Sequence, residues 1–97
     1  MVIDEPTQGR AMPNEPLYNV VLHNDDVTPM EFVVQVLQRF IGLDYEEAIK
    51  LMLRIHHEGK ASHGAYTLEQ AEATIAGILA FAHEHNHPLG CTLEEAR

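Results

Sequence analysis

The sequence predicts an α+β domain in which a small three-stranded antiparallel sheet packs against three helices, in the chain order β-α-α-β-α-β. Two observations carry this prediction. Three segments show apolar residues recurring at steps of three and four, and each begins with a helix-capping pattern. Three short β-rich or alternating runs lie around and between them. These runs bury their apolar faces only by pairing with one another and packing against the helices.

The first predicted element is a strand from Leu17 to His23, a short run rich in β-branched and aromatic residues. Apolar residues fall on both of its faces, which predicts burial on both sides. The preceding residues, 1–16, are rich in proline and polar side chains and show no periodicity. They are therefore predicted to form a disordered N-terminal arm, and the folded domain is predicted to occupy residues 17–97.

The first helix is predicted to begin at Thr28. The hydroxyl of Thr28 suits a helix cap, Pro29 suits the first helical position, and Glu31 would complete a Thr-x-x-Glu capping box. Apolar residues then recur at three- and four-residue steps as far as Ile41. Gly42 is predicted to end this helix, since glycine readily adopts the left-handed conformation of a C-terminal cap.

The second helix is predicted to begin after Asp44, with Glu47 completing its capping box, and to end at Gly59. One histidine of the pair His56-His57 should face inward if this helix is amphipathic, and His56 lies on the apolar stripe. That stripe is predicted to comprise Ala48, Ile49, Met52, Leu53, Ile55 and His56.

A second strand is predicted from Ser62 to Tyr66, followed by a third helix that is capped by Thr67 with Gln70. Gly77 is predicted to allow a close packing contact on this helix. Its apolar face is predicted to comprise Ala71, Ile75, Ile78, Leu79 and Ala82. After Pro88, a third strand is predicted whose buried face comprises Leu89, Cys91 and Leu93.

Composition excludes several classes of function. The 97 residues include 15 acidic and 6 basic residues, for a net charge of -9. Phosphate binding needs clustered Lys and Arg, so nucleic acid and anionic membrane surfaces are excluded as partners. The single cysteine, Cys91, forms no intramolecular disulfide and is predicted to be a small buried residue. Neither a secretory leader nor a membrane-spanning run is seen, so a cytoplasmic location is expected.

Motifs of catalysis are missing from the sequence. It contains no Gly-rich phosphate loop, no Gly-x-Ser-x-Gly elbow and no Cys-x-x-Cys pair. Asp25 and Asp26 are a candidate carboxylate pair, but adjacent residues of an extended chain point in opposite directions. We therefore expect a binding protein and not an enzyme. Asn24 and Asp25, beside the apolar start of a helix, suit a cation attached to an apolar group, such as a free protein N-terminus.

Histidines offer an alternative chemistry. His83, His85 and His87 alternate near the end of the third helix, and His83 and His87 would share a helix face as two metal ligands. Histidines at a helix C-terminus are also favoured by the helix dipole, and this structural interpretation is preferred. A small histidine-based metal-binding protein therefore remains an alternative, which zinc calorimetry with and without these histidines would decide.

An ordered set of motifs points to one family. These motifs are Asn24-Asp25-Asp26-x-Thr28-Pro29-Met30-Glu31-Phe32-Val33, Leu51-Met52-Leu53-x-Ile55-His56, Gly59-Lys60-Ala61, Gly64-x-Tyr66-Thr67, Ala71-Glu72 and His87-Pro88-Leu89-x-Cys91-Thr92-Leu93-Glu94. From about Leu17 to its C-terminus, the chain resembles the ClpS family, the adaptors of bacterial Hsp100 proteases.

The resemblance implies a function and partners. ClpS-like proteins bind substrates whose first residue is large and hydrophobic, typically Phe, Tyr, Trp or Leu; such a terminus is called an N-degron. They deliver these substrates to the N-terminal domain of a ClpA- or ClpC-type AAA+ unfoldase, which feeds the ClpP peptidase. The resemblance implies no catalysis, no cofactor and no metal. A regulator that occupies the unfoldase without recognising N-degrons remains an alternative.

The resemblance also implies roles for individual residues. The α-amino group of the substrate would be held by Asn24, Asp25 and His56. The hydrophobic pocket would be lined by Thr28, Met30, Val33, Met52, Ile55 and Leu89. Glu69 matches a position that contacts the unfoldase, and Thr74 replaces a lysine that is common in that surface. Val27 replaces an aromatic residue found in many relatives, and Ile55 replaces a common valine, which would make the pocket shallower and favour Leu over Trp.

Overall fold

Three antiparallel strands form one sheet in the computed structural model, which describes residues 15–96. The strands are β1 (Tyr18–His23), β2 (Lys60–Tyr66) and β3 (Gly90–Glu95), and β1 lies between the other two. The helices are α1 (Met30–Val36), which continues as a π-helical turn (Leu37–Ile41), α2 (Tyr45–Glu58) and α3 (Leu68–Glu84). The predicted α+β class and chain order are confirmed. Of the predicted arm, residues 1–14 lie outside the described residues.

The hydrophobic core lies between the sheet and the helices. On the core face of β1, Leu22 pairs with Ala61 of β2 and with Cys91 of β3, and all three are buried. Val21 points to the opposite face and is also buried, as predicted for a strand covered from both sides. Burial raises the pKa of the Cys91 thiol to about 12, so this cysteine is a buried apolar residue, as predicted.

Two of the three predicted helix starts are confirmed. Asp44 accepts a hydrogen bond from the Glu47 backbone at 2.8 Å, and Thr67 accepts one from the Gln70 backbone at 3.2 Å. In each case the cap backbone N–H donates to the side-chain oxygen of the third helical residue, so both capping boxes are complete.

The predicted cap of the first helix is wrong. Pro29, not Thr28, is the N-cap residue, and no side chain caps the helix. Thr28 does not cap the helix because its hydroxyl donates to Asp25 Oδ2 at 2.8 Å. The Pro29 carbonyl accepts from the Phe32 and Val33 backbone N–H groups. The first helical residue is therefore Met30.

The buried face of α2 is rotated relative to the face predicted from the sequence. Leu51 is buried with Ala48, Met52 and Ile55, at the helical spacing of three and four residues. The stripe therefore centres on the Leu51 side, and His56, predicted to face inward, is exposed.

Three leucines predicted on buried faces are instead 38–40% exposed. They are Leu53, Leu79 and Leu93. Leu53 and Leu79 flank the buried stripes of α2 and α3 rather than lying within them. Leu93 lies on an edge strand, which has a strand neighbour on one side only. The apolar faces of α2, α3 and β3 are thus narrower than the sequence pattern predicts.

Gly77 makes the close contact predicted for it. A Cβ atom at this position would lie 3.0 Å from Cε1 of Phe40, so the Phe40 ring packs against the backbone of α3. None of the helices formed by residues 15–96 combines the length and the apolar character needed to cross a lipid bilayer.

Gly59 closes α2 in the left-handed region, with φ of 91°, and its carbonyl accepts from the Asn24 backbone N–H at 2.9 Å. We expect Gly59→Ala to lower the free energy of unfolding by about 1–2 kcal/mol, because left-handed φ is costly for alanine. Chemical denaturation measures this. Gly90→Ala is the matched control, since the nearest atom to its new Cβ would lie at an ordinary 3.5 Å. Equal losses in both variants would contradict a conformational role for Gly59.

Candidate functional site

A pocket of about 170 Å³ lies where four parts of the chain meet. These parts are the end of β1 with the loop that follows it, the first turns of α1, the last turns of α2, and the residue before β3. The pocket is lined by His23, Asn24, Asp25, Asp26, Thr28, Met30, Val33, Met52, Ile55, His56 and Leu89. The structure thus brings together all nine residues that the sequence resemblance places in amine binding and side-chain binding.

The two ends of the pocket differ in chemistry. Val33, Met52, Ile55 and Leu89 are buried and form an apolar floor. The rim is polar and exposed, and it includes Asn24, Asp26 and His56. Such a pocket presents apolar surface at depth and hydrogen-bonding groups where a ligand meets solvent, which is typical of a small-ligand site.

Asp25 is the most constrained polar group of the pocket. Its Oδ1 accepts from the backbone N–H groups of Val27 at 2.8 Å and Thr28 at 2.7 Å, and its Oδ2 accepts from the Thr28 hydroxyl at 2.8 Å. A carboxylate offers about four lone-pair positions, so Oδ2 retains capacity for one further donor. The loop therefore orients this carboxylate while leaving it able to accept from a ligand.

The same hydrogen bonds keep Asp25 charged. Partial burial of the carboxyl would by itself raise its pKa, but the backbone N–H and hydroxyl of Thr28, the N–H of Val27 and the charge of His87 together lower the pKa below its usual value. Asp25 is therefore an anion at neutral pH. An anion at the edge of an apolar pocket favours a cationic ligand group.

Asn24 and His56 are brought together by one backbone contact. The Asn24 N–H donates to the carbonyl of Gly59, which closes α2 three residues after His56. This bond joins the end of β1 to the end of α2 across the pocket. Asn24 is exposed and lines the pocket, and within residues 15–96 its side-chain amide makes no hydrogen bond.

Helix spacing explains the apolar wall. Met52, Ile55 and His56 occur at steps of three and four along α2, and Met30 and Val33 are three apart on α1. Residues at these steps share one helix face, so each helix presents its pocket residues together. Leu89 reaches the floor from the turn that precedes β3.

Sequence reasoning missed three residues at this site. His23 lines the pocket and is fixed by a 2.8 Å hydrogen bond between its Nε2 and the Thr92 hydroxyl. Asp26 lines it too, although we expected adjacent aspartates to diverge; the chain bends at residues 26–28 and is not extended there. His87 packs edge-on against Phe32, with ring centroids 4.4 Å apart, and supplies charge near Asp25.

The expected unfoldase-contact residues lie elsewhere on the domain. Glu69 is exposed in the first turn of α3, whereas Thr74 is half-buried. Five residues along an α-helix correspond to a rotation of about 140°, so these two positions do not share a helix face. Neither residue lines the pocket.

The three alternating histidines do not form a metal site. The Nδ1–H of His85 donates to the Phe81 carbonyl at 2.9 Å, and the His85 ring packs against Phe32 and Phe81. His87 also packs against Phe32. Across residues 15–96, no three His, Cys, Asp or Glu side chains are grouped closely enough to hold a metal ion. The alternative of a histidine-based metal protein therefore has no structural support in that part of the chain.

The fold and the pocket together define a small ligand-binding domain. Comparison with known proteins identifies its family. A family model described as "ATP-dependent Clp protease adaptor protein ClpS" matches residues 13–92. The chain belongs to the ClpS family and is thus an adaptor of the Clp protease.

Individual relatives agree with this assignment. The chain is 52% identical over 79 residues to the ClpS adapter of Vibrio atlanticus, covering 81% of this chain and 74% of the relative. It is 49% identical over 80 residues to that of Vibrio cholerae, covering 82% and 76%. The solved structure of Agrobacterium tumefaciens ClpS2 bound to L-phenylalaninamide superposes with a TM-score of 0.83 at 30% identity, covering 86% of this chain and 100% of that one. ClpS adaptors work with Clp AAA+ proteases.

Proposed function

We propose that the pocket binds the first residue of a protein substrate through its free α-amino group and its large hydrophobic side chain. One observation carries this proposal: a constrained carboxylate, Asp25, stands at the rim of an apolar pocket of about 170 Å³. An apolar cavity of about 150 Å³ is sufficient to bind benzene. The pocket therefore matches a leucine or phenylalanine side chain in size.

The rim supplies acceptors for an ammonium group. An α-ammonium has three N–H donors and one positive charge, and the proposed acceptors are the Asp25 carboxylate, the Asn24 side-chain oxygen and a neutral His56 nitrogen. Hydrogen bonds to a charged group contribute about 1.5–3 kcal/mol each, and burial of a large apolar side chain contributes about 1.5–3 kcal/mol. The entropy lost on association offsets much of the free energy from the hydrogen bonds alone or from apolar burial alone. Selective binding therefore requires a free amine and a large apolar side chain in one ligand.

The ligand of the Agrobacterium relative has the same two features. Phenylalaninamide carries a free α-amino group and a benzyl side chain, and its amide replaces the carboxylate. The first residue of a longer polypeptide likewise has an amide in this position. This likeness supports Phe, Tyr, Trp and Leu as the first residues that the pocket accepts.

We expect a peptide that begins with free Leu or Phe to bind, and its N-acetylated form to bind at least about 100-fold more weakly, because acetylation removes the charge and two of the donors. Fluorescence anisotropy with labelled peptides measures this. A peptide beginning with Gly is the matched control for the side chain, since it keeps the free amine. Equal affinity for the free and acetylated peptides would refute recognition of the α-amino group.

Delivery is proposed to occur through a second surface. We infer that the exposed Glu69 on α3 contacts the N-terminal domain of a ClpA- or ClpC-type AAA+ unfoldase, which acts with ClpP. The half-buried Thr74 offers less surface to such a partner. Because Glu69 lies outside the pocket, substrate and unfoldase would bind at once. The proposed site of action is the cytoplasm, and the adaptor itself is proposed to carry out no catalysis.

A further inference from the structure

A second cavity lies beside the pocket, between α1 and α2, and we call it the interhelical groove. It has a volume of about 330 Å³. Met30 and Met52 line both the pocket and the groove, so the two spaces are adjacent. The other residues that line the groove are Glu31, Val34, Gln35, Gln38, Tyr45 and Ile49.

The groove combines apolar surface with exposed amide groups. Val34 is buried, Ile49 is half-buried, and the Tyr45 side chain is 64% exposed. Gln35 and Gln38 are exposed, and their side-chain amides make no hydrogen bond to any group of residues 15–96. An amide side chain both donates and accepts, which matches the N–H and C=O groups of an extended peptide backbone. The groove therefore suits a peptide segment in extended conformation.

Charge narrows the kind of segment that fits. Glu31 is exposed, and no lysine or arginine is found among the described residues that line the groove. The carboxylates of Asp25 and Asp26 line the neighbouring pocket. An acidic side chain in the groove would be repelled by these like charges. Apolar side chains are therefore the better match for the surface formed by Val34, Ile49 and Tyr45.

The groove begins where a bound first residue would join the rest of its polypeptide. In the proposed function, Asn24, Asp25 and His56 hold the amino group, and the buried floor holds the side chain. The third substituent of the Cα atom, the carbonyl carbon, leads to the second residue. Met30 is the exposed apolar residue of the pocket lining, and it also lines the groove. The groove thus offers the following residues a continuous apolar path.

The length of the groove fits a short segment. Gln38 and Tyr45 are the lining residues farthest along each helix from Met30 and Met52. At about 1.5 Å per helical residue, Met30 and Gln38 are about 12 Å apart along the helix axis. An extended chain covers about 3.3 Å per residue, so the groove accommodates about three residues.

We propose that the interhelical groove binds the second to fourth residues of the substrate in extended conformation, with apolar side chains among them packed on Val34, Ile49 and Tyr45. This inference rests on the proposed function and extends it. The adaptor then recognises a short sequence and not the first residue alone. Among substrates with the same first residue, those with apolar residues at the third and fourth positions bind more tightly.

Two isoleucines report separately on the two sites. Ile55 lines the pocket but not the groove, and Ile49 lines the groove but not the pocket. Leucinamide carries a free α-amino group and a leucine side chain but no following residues. In ¹³C-methyl NMR titrations, we expect Ile55 to shift with leucinamide and with a peptide that begins Leu-Ser-Leu-Leu. Ile49 should shift with the peptide alone.

The same titrations separate this inference from the proposed function. If Ile55 shifts with both ligands while Ile49 shifts with neither, or equally with both, the groove assignment is wrong and the pocket assignment stands. If neither ligand shifts Ile55, the proposed function fails. If Ile49 shifts with protein concentration in the absence of ligand, the groove binds a second copy of this chain, and the assignment to substrate is overturned.

A substitution in the groove provides the second test. The unaltered protein should bind the Leu-Ser-Leu-Leu peptide about tenfold more tightly than a Leu-Ser-Ser-Ser peptide, because the former buries more apolar surface. Tyr45 is the first residue of α2 and lines the groove but not the pocket. Tyr45→Ala should reduce this ratio to less than about threefold, as measured by fluorescence anisotropy.

Leu68→Ala is the matched control for Tyr45→Ala. Leu68 is the first residue of α3, is likewise exposed, and lines neither the pocket nor the groove. This variant should keep the tenfold ratio between the two peptides. Equal affinity of the unaltered protein for both peptides would overturn the proposal. So would a ratio that persists in Tyr45→Ala, or one that falls equally in Leu68→Ala.

Discussion

Replacing Asp25 by alanine is expected to weaken binding of peptides with free N-terminal Leu or Phe by about 10- to 150-fold. This is the range for one hydrogen bond to a charged group. Two causes act together: the variant loses the anion that accepts from the α-ammonium, and the loop loses the three hydrogen bonds that Asp25 accepts from Val27 and Thr28. Isothermal titration calorimetry with a Leu-initiated peptide measures the loss.

Asp26→Ala is the matched control for charge. Asp26 also lines the pocket, carries the same formal charge and accepts none of the three loop hydrogen bonds. Exposed charges contribute little to a specific contact, so this variant should lose less than about fivefold. A similar loss in both variants would mean that the pocket responds to net negative charge rather than to one oriented carboxylate.

A paired experiment separates substrate capture from unfoldase contact. With Clp protease and a Leu-initiated substrate, Asp25→Ala should stop delivery while still competing for the unfoldase. Glu69→Lys should show the opposite pattern, with peptide affinity retained and delivery lost, because Glu69 is exposed on α3 and does not line the pocket. If Glu69→Lys delivers substrate as well as the unaltered protein does, the proposed docking role of Glu69 is wrong. If Asp25→Ala delivers normally, the alternative of a regulator without N-degron recognition is favoured.

Replacing Met30 by alanine is expected to relax selectivity towards β-branched first residues. Met30 lines the pocket at its exposed edge, and its truncation opens space beside the Cβ atom of a bound residue. We expect the affinity for Ile- and Val-initiated peptides to rise by about tenfold relative to Leu, since one or two methylene-sized contacts in an apolar pocket have effects of this order. Competition binding with peptides that differ only in the first residue measures the ratio.

Met30→Leu is the control, because it keeps an apolar side chain of similar volume. It should leave the ranking of Leu over Ile and Val in place. If Met30→Ala left that ranking unchanged, Met30 would not determine selectivity, and the shape of the floor formed by Val33 and Ile55 would have to do so.

Local signals explain why the fold was predictable. The capping boxes at Asp44 and Thr67 involve residues three apart in sequence, and both form in the structure. The alternation around Cys91 and the β-rich run of β1 are likewise properties of neighbouring residues. The capping pattern at Thr28 failed for an equally local reason, because Asp25 competes for the hydroxyl of Thr28.

The site was less accessible to sequence reasoning. Asn24, His56 and Leu89 were grouped by family resemblance, since no local pattern indicates that segments so far apart meet. The contact between the Asn24 N–H and the Gly59 carbonyl has no sequence signal at all. Asp26 could not be placed by assuming an extended backbone, because the chain bends at residues 26–28.

Because β1 is the central strand of the sheet, the pocket residues that follow it are held more firmly than those at the start of α1. Asn24 and Asp25 directly follow this strand, which pairs with β2 on one side and β3 on the other. Met30 is held only by the first turn of a helix and is 45% exposed. In the proposed function, every substrate presents the same ammonium group, whereas its side chain varies. The rigid part of the domain therefore recognises what substrates have in common, and the compliant part accommodates how they differ.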